Sequence, residues 1–185
     1  LLEGGAGVGK SEMIKEMLRY NNIGCNRNSG DHCYYKIEAD MPLADKRKLI
    51  VKAFEEGNIV WIDEINSCLD DGLEKILNSV LTGIHPDTGE RSAKAGFMLL
   101  ASCNSAGLEG RSIISPALRH RMSTPKLTEL VDYEIEDLEQ IIKHWYGNDG
   151  IDEAKAQQLA TSFKEIISNS ENQEYNLRML LDVLI

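Results

Sequence analysis

Gly4-Gly5-Ala6-Gly7-Val8-Gly9-Lys10-Ser11, almost at the start of the 185-residue chain, fits the phosphate-binding pattern G-x-x-x-x-G-K-[ST] at each specified position. Glycines at these spacings let the backbone curl tightly, so that several N–H groups point inward and can cradle phosphates. The pattern assigns Lys10 to the β- and γ-phosphates and the Ser11 hydroxyl to Mg²⁺. A helix must follow, so that its N-terminus faces the anion, and Met13, Ile14, Met17 and Leu18 supply the apolar stripe of one. Leu1-Leu2 before the loop reads as the end of a strand. Two apolar residues are few for such a strand, so the sequence reads as a piece of something longer. A Gly-rich turn with a chance lysine has no reason to lie between a strand and an amphipathic helix. The stretch therefore predicts binding of a nucleoside triphosphate.

Outward from the loop, strands and helices alternate. Tyr34 to Glu38 predicts a short strand, and Asp45 to Glu56 a helix carrying Leu49, Ile50, Ala53 and Phe54. Ile59-Val60-Trp61-Ile62 is a continuous apolar run, as expected of a strand buried on both faces. Leu69, Leu73, Ile76, Leu77 and Val80 share a helical face, and Phe97 to Cys103 predicts another buried strand. Such alternation implies an α/β fold, a parallel sheet with helices on both sides. Thr82 to Gly96 reads as a turn and possible hairpin, serving either as a plain connection or as a face for a partner. After Pro125 the strand signals stop. Ile135, Leu138, Ile141, Ile142 and Trp145 form one helical stripe, and Ala156, Leu159, Ala160, Phe163, Ile166 and Ile167 a second. Asn176 to Ile185 predicts a third helix. The expected division is an α/β core over 1–128 and a small all-α lid over 129–185.

The strand Ile59–Ile62 runs into Asp63-Glu64. An apolar strand ending in two acids places both at the carboxyl edge of the sheet, where the phosphate loop also lies. There Asp63 suits Mg²⁺ binding, through the water shell of the ion, and Glu64 suits polarising an attacking water. Two adjacent acids alone could equally cap a helix. About fifty residues after a phosphate loop, with a helix and strand between, they carry a stronger meaning.

Acidic residues outnumber basic ones 30 to 20, for a net charge of −10. That argues against a broad electrostatic footprint for DNA or RNA and favours a protein over a nucleic acid as macromolecular substrate, while leaving room for a local basic pore. Cys25, Cys33, Cys68 and Cys103 show no C-x-x-C spacing, and neither a signal peptide nor a transmembrane run is visible. A reducing, cytoplasmic setting is expected. Cys25 with His32-Cys33 has the look of a metal-site fragment but lacks a fourth ligand at sensible spacing, so free thiols are expected.

The order of these features resembles an AAA+ ATPase. Trp61-Ile62-Asp63-Glu64-Ile65-Asn66, together with Gly110-Arg111-Ser112 and Ser115-Pro116-Ala117-Leu118-Arg119-His120-Arg121, resembles the dynein-related branch, which includes midasin and the MoxR-type ATPases. The resemblance covers nearly the whole chain. It implies ATP and Mg²⁺ as ligands, catalysis by Glu64, and work on a macromolecular partner within a homo-oligomeric ring or beside tandem AAA+ neighbours. Asn104 resembles the sensor that positions the attacking water, although Ser105 stands where the family usually has Pro. Arg121 resembles the arginine finger offered to a neighbour's γ-phosphate, with Arg119 the alternative. Met122 replaces a more usual Phe. Arg178, in Tyr175-Asn176-Leu177-Arg178, resembles the second sensor, which reaches from the lid to the nucleotide. Ala39 to Leu43 lacks the aromatic-Gly pair of threading unfoldases. Two other readings fit the same motifs: a GTP-hydrolysing motor of the restriction type, and a nucleotide-bound scaffold without turnover.

Overall fold

The apolar run at Ile59–Ile62 is sandwiched between two layers of side chains. Val60 and Ile62 are fully buried against the larger core, while Trp61 points the opposite way onto Ile14 and Leu18. A strand with helices on both faces has no solvent side, which is why its sequence does not alternate. The computed structural model describes residues 1–25, 33–92, 94–104, 112–125, 127, 132–147, 150–169 and 177–182.

In chain order the elements are β1 (Leu2–Gly4), α1 (Lys10–Tyr20), β2 (Gly24–Cys25), β3 (Cys33–Ile37), α2 (Leu43–Glu56), β4 (Ile59–Ile62), α3 (Ile65–Cys68), α4 (Asp71–Leu81), β5 (Met98–Asn104), α5 (Pro116–Arg119), α6 (Ile135–Tyr146), α7 (Glu153–Asn169) and α8 (Leu177–Asp182). The five strands form one sheet in the order β1-β5-β4-β3-β2. β2–β3, β3–β4 and β4–β5 pair in parallel, with Ile37 opposite Ile62 and Ile62 opposite Ala101. β4 therefore sits at the centre, with the end of β5 beside it.

By its internal packing the chain divides into two units. One holds Leu1–Glu3 and Lys10–Lys126, the other Gly4–Gly9 and Leu127–Ile185. In the first, Ile37, Ile50, Phe54, Ile62, Leu73 and Leu77 make the centre of the larger core. Each such side chain contributes roughly 1.5–3 kcal/mol by leaving water. In the second, Leu138 and Ile142 of α6 meet Ala156, Ala160 and Phe163 of α7, with Leu177 and Leu180 of α8. The start of α6 is fixed by a capping box, Glu134 accepting from the backbone at Asp137 while the Asp137 carboxylate accepts from Glu134 N–H. Lys143 and His144 at its other end complement the helix dipole.

Local chemistry moves several element boundaries. α2 begins at Leu43 rather than Asp45, because Pro42, with φ −57°, is already set for a helix start. α4 begins at Asp71, since the Asp70 carboxylate caps it by accepting from Leu73 N–H at 2.7 Å. Leu69 thus lies ahead of the helix whose stripe it seemed to begin, yet is still buried. The α1 stripe is narrower than the sequence implies: Ile14 and Leu18 are buried, whereas Met13 and Met17 are exposed. Trp145, placed on the α6 stripe, is 57% exposed. Between α4 and β5 the chain does turn back, bridging Ile84 to Arg91 in antiparallel fashion. Gly57 and Gly96 cross backbone to backbone just before β4 and β5. A Cβ on Gly57 would meet the Ala95 carbonyl at 2.4 Å, and one on Gly96 the Gly57 carbonyl at 2.7 Å.

Candidate nucleotide site

Where β4 and β5 end, their side chains turn from apolar to polar. One step beyond the Ile62–Ala101 pair, Asp63 and Ser102 emerge side by side, and the Ser102 hydroxyl donates to Asp63 Oδ1 at 2.5 Å. Ser11, on the first turn of α1, donates to both Asp63 oxygens, at 2.8 and 3.0 Å. The chain then leaves the sheet through Glu64 in the left-handed region, φ 51° and ψ 53°, before entering α3. Few non-glycine residues adopt that conformation, and at functional sites it aims a side chain that a regular strand would misplace. Ser102 Oγ accepts the Glu64 N–H at 2.9 Å.

Asn104 closes the constellation. Its Oδ1 accepts from Lys10 Nζ at 2.8 Å, and its Nδ2 donates to Glu64 Oε1 at 3.0 Å. The amide can bridge a cation and an anion because one end only accepts and the other only donates. Lys10 and Asn104 are 6% and 5% exposed, while Glu64 opens to solvent. Asn66, two residues past Glu64, donates from Nδ2 to the Asn104 carbonyl at 3.1 Å, and its backbone carbonyl accepts Ser112 N–H at 2.8 Å. One cation, two carboxylates, an amide and two hydroxyls thus converge at the carboxyl edge of a parallel sheet, where open α/β sheets place their ligands.

Of the other sequence candidates, Gly4–Gly9 forms a turn with Gly7 at φ 74° and Gly9 at φ 89°, both conformations that glycine adopts without strain. Within its own unit, a Cβ added to Gly9 would lie 4.0 Å from Leu177 Cδ1, and one on Gly4 3.7 Å from Leu127 Cδ1. Arg119 and Arg121 have different environments. Ser115 caps α5 by accepting Leu118 N–H at 3.2 Å, with Pro116 in the first turn. At the end of that helix Arg119 grips Glu3 of β1 with two nitrogens, at 2.5 and 3.2 Å. That hydrogen bond holds the Glu3 carboxyl below its ordinary pKa and raises that of Arg119 in return. Arg121 is exposed; its guanidinium donates to the Ala117 carbonyl and shares no hydrogen bond with the Lys10–Asn104–Glu64 group among the described residues. The side chain of Arg178 lies outside the described residues, as do those of Cys25 and His32. Among the described residues, Cys33, Cys68 and Cys103 take part in no disulfide.

Ser102 and Asn66 were missed from the sequence. Ser102 lies inside a run that reads as a buried apolar strand. The signal was its period-two spacing from Asn104, which puts both on one face of β5.

The family model of the AAA domain, dynein-related subfamily, matches residues 1–122. The chain belongs to this family. Midasin of Giardia intestinalis is 29% identical over 156 residues, which cover 77% of this chain and 3% of that protein. Two mutant structures of Thermotoga maritima RuvB are similar in fold, with TM-scores of 0.60 and 0.59 at 19% and 18% identity. Each covers 99% of this chain and 60% of the other. The dynein-related AAA fold, a P-loop parallel sheet flanked by helices and followed by C-terminal helices, is thus common to sequence and structure. Among the described residues no helix is long and apolar enough to cross a membrane.

Proposed function

We infer that this AAA domain binds ATP with Mg²⁺ and hydrolyses it. The observation that carries the reading is the joined set Lys10–Asn104–Glu64 and Ser11–Asp63, which gathers the phosphate cation and the acidic pair into one place. In the proposed roles, the N–H groups of Gly4, Gly5, Ala6, Gly7, Val8 and Gly9 cradle the phosphates and Lys10 neutralises the β/γ oxygens. Glu64 polarises the attacking water, with Asn104 holding both Glu64 and that water in line. The Ser11 hydroxyl and, through the water shell of the ion, the Asp63 carboxylate, already in mutual contact, would hold Mg²⁺. When bound, the ion would offset charge developing on the γ-phosphate.

Arg121 is the proposed finger for a neighbour's γ-phosphate, because its guanidinium is exposed, whereas that of Arg119 is engaged by Glu3 of its own chain. Arg178 is proposed to reach the nucleotide from the helical part, 129–185, acting as a lid on the core, 1–128. The unit would work in a ring of copies or beside tandem AAA neighbours, remodelling a protein partner in a reducing compartment. Turnover of ATP and of GTP, each with and without Mg²⁺, at several protein concentrations tests the reading. Mg²⁺-dependent release of phosphate from ATP, rising per subunit with concentration and abolished by Lys10→Ala, is expected. Binding without turnover at any concentration would leave a scaffold, and GTP preference a different motor.

A further inference from the structure

Ser102 is 1% exposed, and its hydroxyl makes two bonds of fixed polarity. Its oxygen accepts Glu64 N–H at 2.9 Å, so its single proton is left for Asp63 Oδ1 at 2.5 Å. One hydroxyl therefore ties the backbone of the second acid to the side chain of the first. The tie falls where it has mechanical consequence, since Glu64 is the residue held in the left-handed conformation. It also bears on the Asp63 oxygen that Ser11 contacts from α1. Burial prevents a water from replacing the hydroxyl without rearranging the strand ends. Neither Ala nor Val at 102 could make either bond, although both would suit a buried strand equally well.

We propose that Ser102 is a positioning residue, which holds the Asp63 carboxylate in the orientation that receives Mg²⁺-nucleotide and sets the direction in which Glu64 leaves β4. The proposal rests on the nucleotide reading above. It differs from a merely structural role for a buried serine in one measurable respect: the hydroxyl should matter more for nucleotide with Mg²⁺ than for nucleotide alone.

The test is calorimetric titration of the full chain with ATP in EDTA and with ATP in Mg²⁺, for wild type, Ser102→Ala and Ser102→Thr, with turnover measured on the same samples. In EDTA, Ser102→Ala is expected to bind ATP within about two-fold of wild type. In Mg²⁺ its affinity should fall about 10–100-fold relative to wild type, the usual loss when a group orienting a metal ligand is removed. Turnover should fall with it. Ser102→Thr keeps the hydroxyl and should recover both to within about three-fold. Equal losses in EDTA and Mg²⁺, or no loss in either, would overturn the proposal, as would a folded Ser102→Thr that behaves like Ser102→Ala. Should Ser102→Ala fail to fold, Ser102→Cys, nearly isosteric but a poor hydrogen-bonding group, is held to the same expectation. Absence of ATP binding by the wild type would overturn the nucleotide reading and this proposal with it, whereas wild-type binding with an unchanged Mg²⁺ advantage in the variant overturns the proposal alone.

Discussion

Replacing Asn104 with alanine should weaken the fold by an amount that the two ends of its amide allow to be worked out. At one end the amide oxygen meets Lys10 Nζ at 2.8 Å, with both groups about 5% exposed. A hydrogen bond to a buried charge contributes ~1.5–3 kcal/mol, and little water can replace it. At the other end the amide N–H meets the Glu64 carboxylate, which is exposed and can turn to solvent, so that bond contributes little to net stability. The Asn104 carbonyl keeps its bond from Asn66 whatever the side chain. The expected loss is therefore about 1.5–3 kcal/mol, nearly all of it on the Lys10 side, or roughly 3–12 °C in melting temperature for a chain of this length. Differential scanning calorimetry without nucleotide measures it. A double-mutant cycle with Lys10→Met isolates the pair, and Asn104→Ala should cost at least about 1 kcal/mol less once Lys10 is gone. A melting temperature within about one degree of wild type, or full additivity in the cycle, would refute the account of Asn104 as the link between cation and acid.

Glu64→Gln should keep ATP affinity and lose turnover, because an amide cannot accept a proton from water; phosphate release at the wild-type rate would remove Glu64 from the chemistry. Arg121→Ala should lower turnover by about 10³-fold with nucleotide affinity nearly unchanged. Mixing Arg121→Ala with Lys10→Ala protein should restore part of it, by pairing an intact loop with an intact finger, and a dead mixture would shift attention to Arg119. The Glu3–Arg119 pair gives a pH signature. Since the Glu3 pKa is lowered, its stabilisation is complete above the ordinary carboxylate value and disappears as pH falls through the lowered one. The pair is partly exposed, so Arg119→Ala should cost no more than about 1 kcal/mol at pH 7, and by urea melts the difference from wild type should shrink steadily as pH falls below the ordinary carboxylate range. A gap that widens in acid would contradict the assignment.

The sheet was legible because β4 and the first part of β5 are apolar on both faces, and a strand covered on both faces writes a continuous run into the sequence. The phosphate loop and Asp63-Glu64 were legible because backbone geometry and charge restrict those positions to few residue types. Less was legible where the deciding contact is remote in sequence. Nothing near Arg119 predicts its pairing with Glu3, more than a hundred residues away, and that contact is what distinguishes it from Arg121. Ser102 carries no local signal beyond its place in a mostly apolar strand, since the groups it bonds belong to the residues that follow β4. Leu69 has the right spacing for α4, but the cap at Asp70 places it outside. Met13, Met17 and Trp145 fit helical stripes and are nevertheless exposed, since periodicity reports a face and not its neighbours.

The left-handed backbone at Glu64 sets durability and purpose against each other at a single residue. A glutamate held at φ 51° costs on the order of 1–3 kcal/mol, which glycine, or to a lesser degree asparagine, would largely avoid. A population of this protein selected only for surviving heat would therefore drift away from glutamate at this position. A carboxylate kept at a strained point of the backbone is maintained by stability drawn from the rest of the fold.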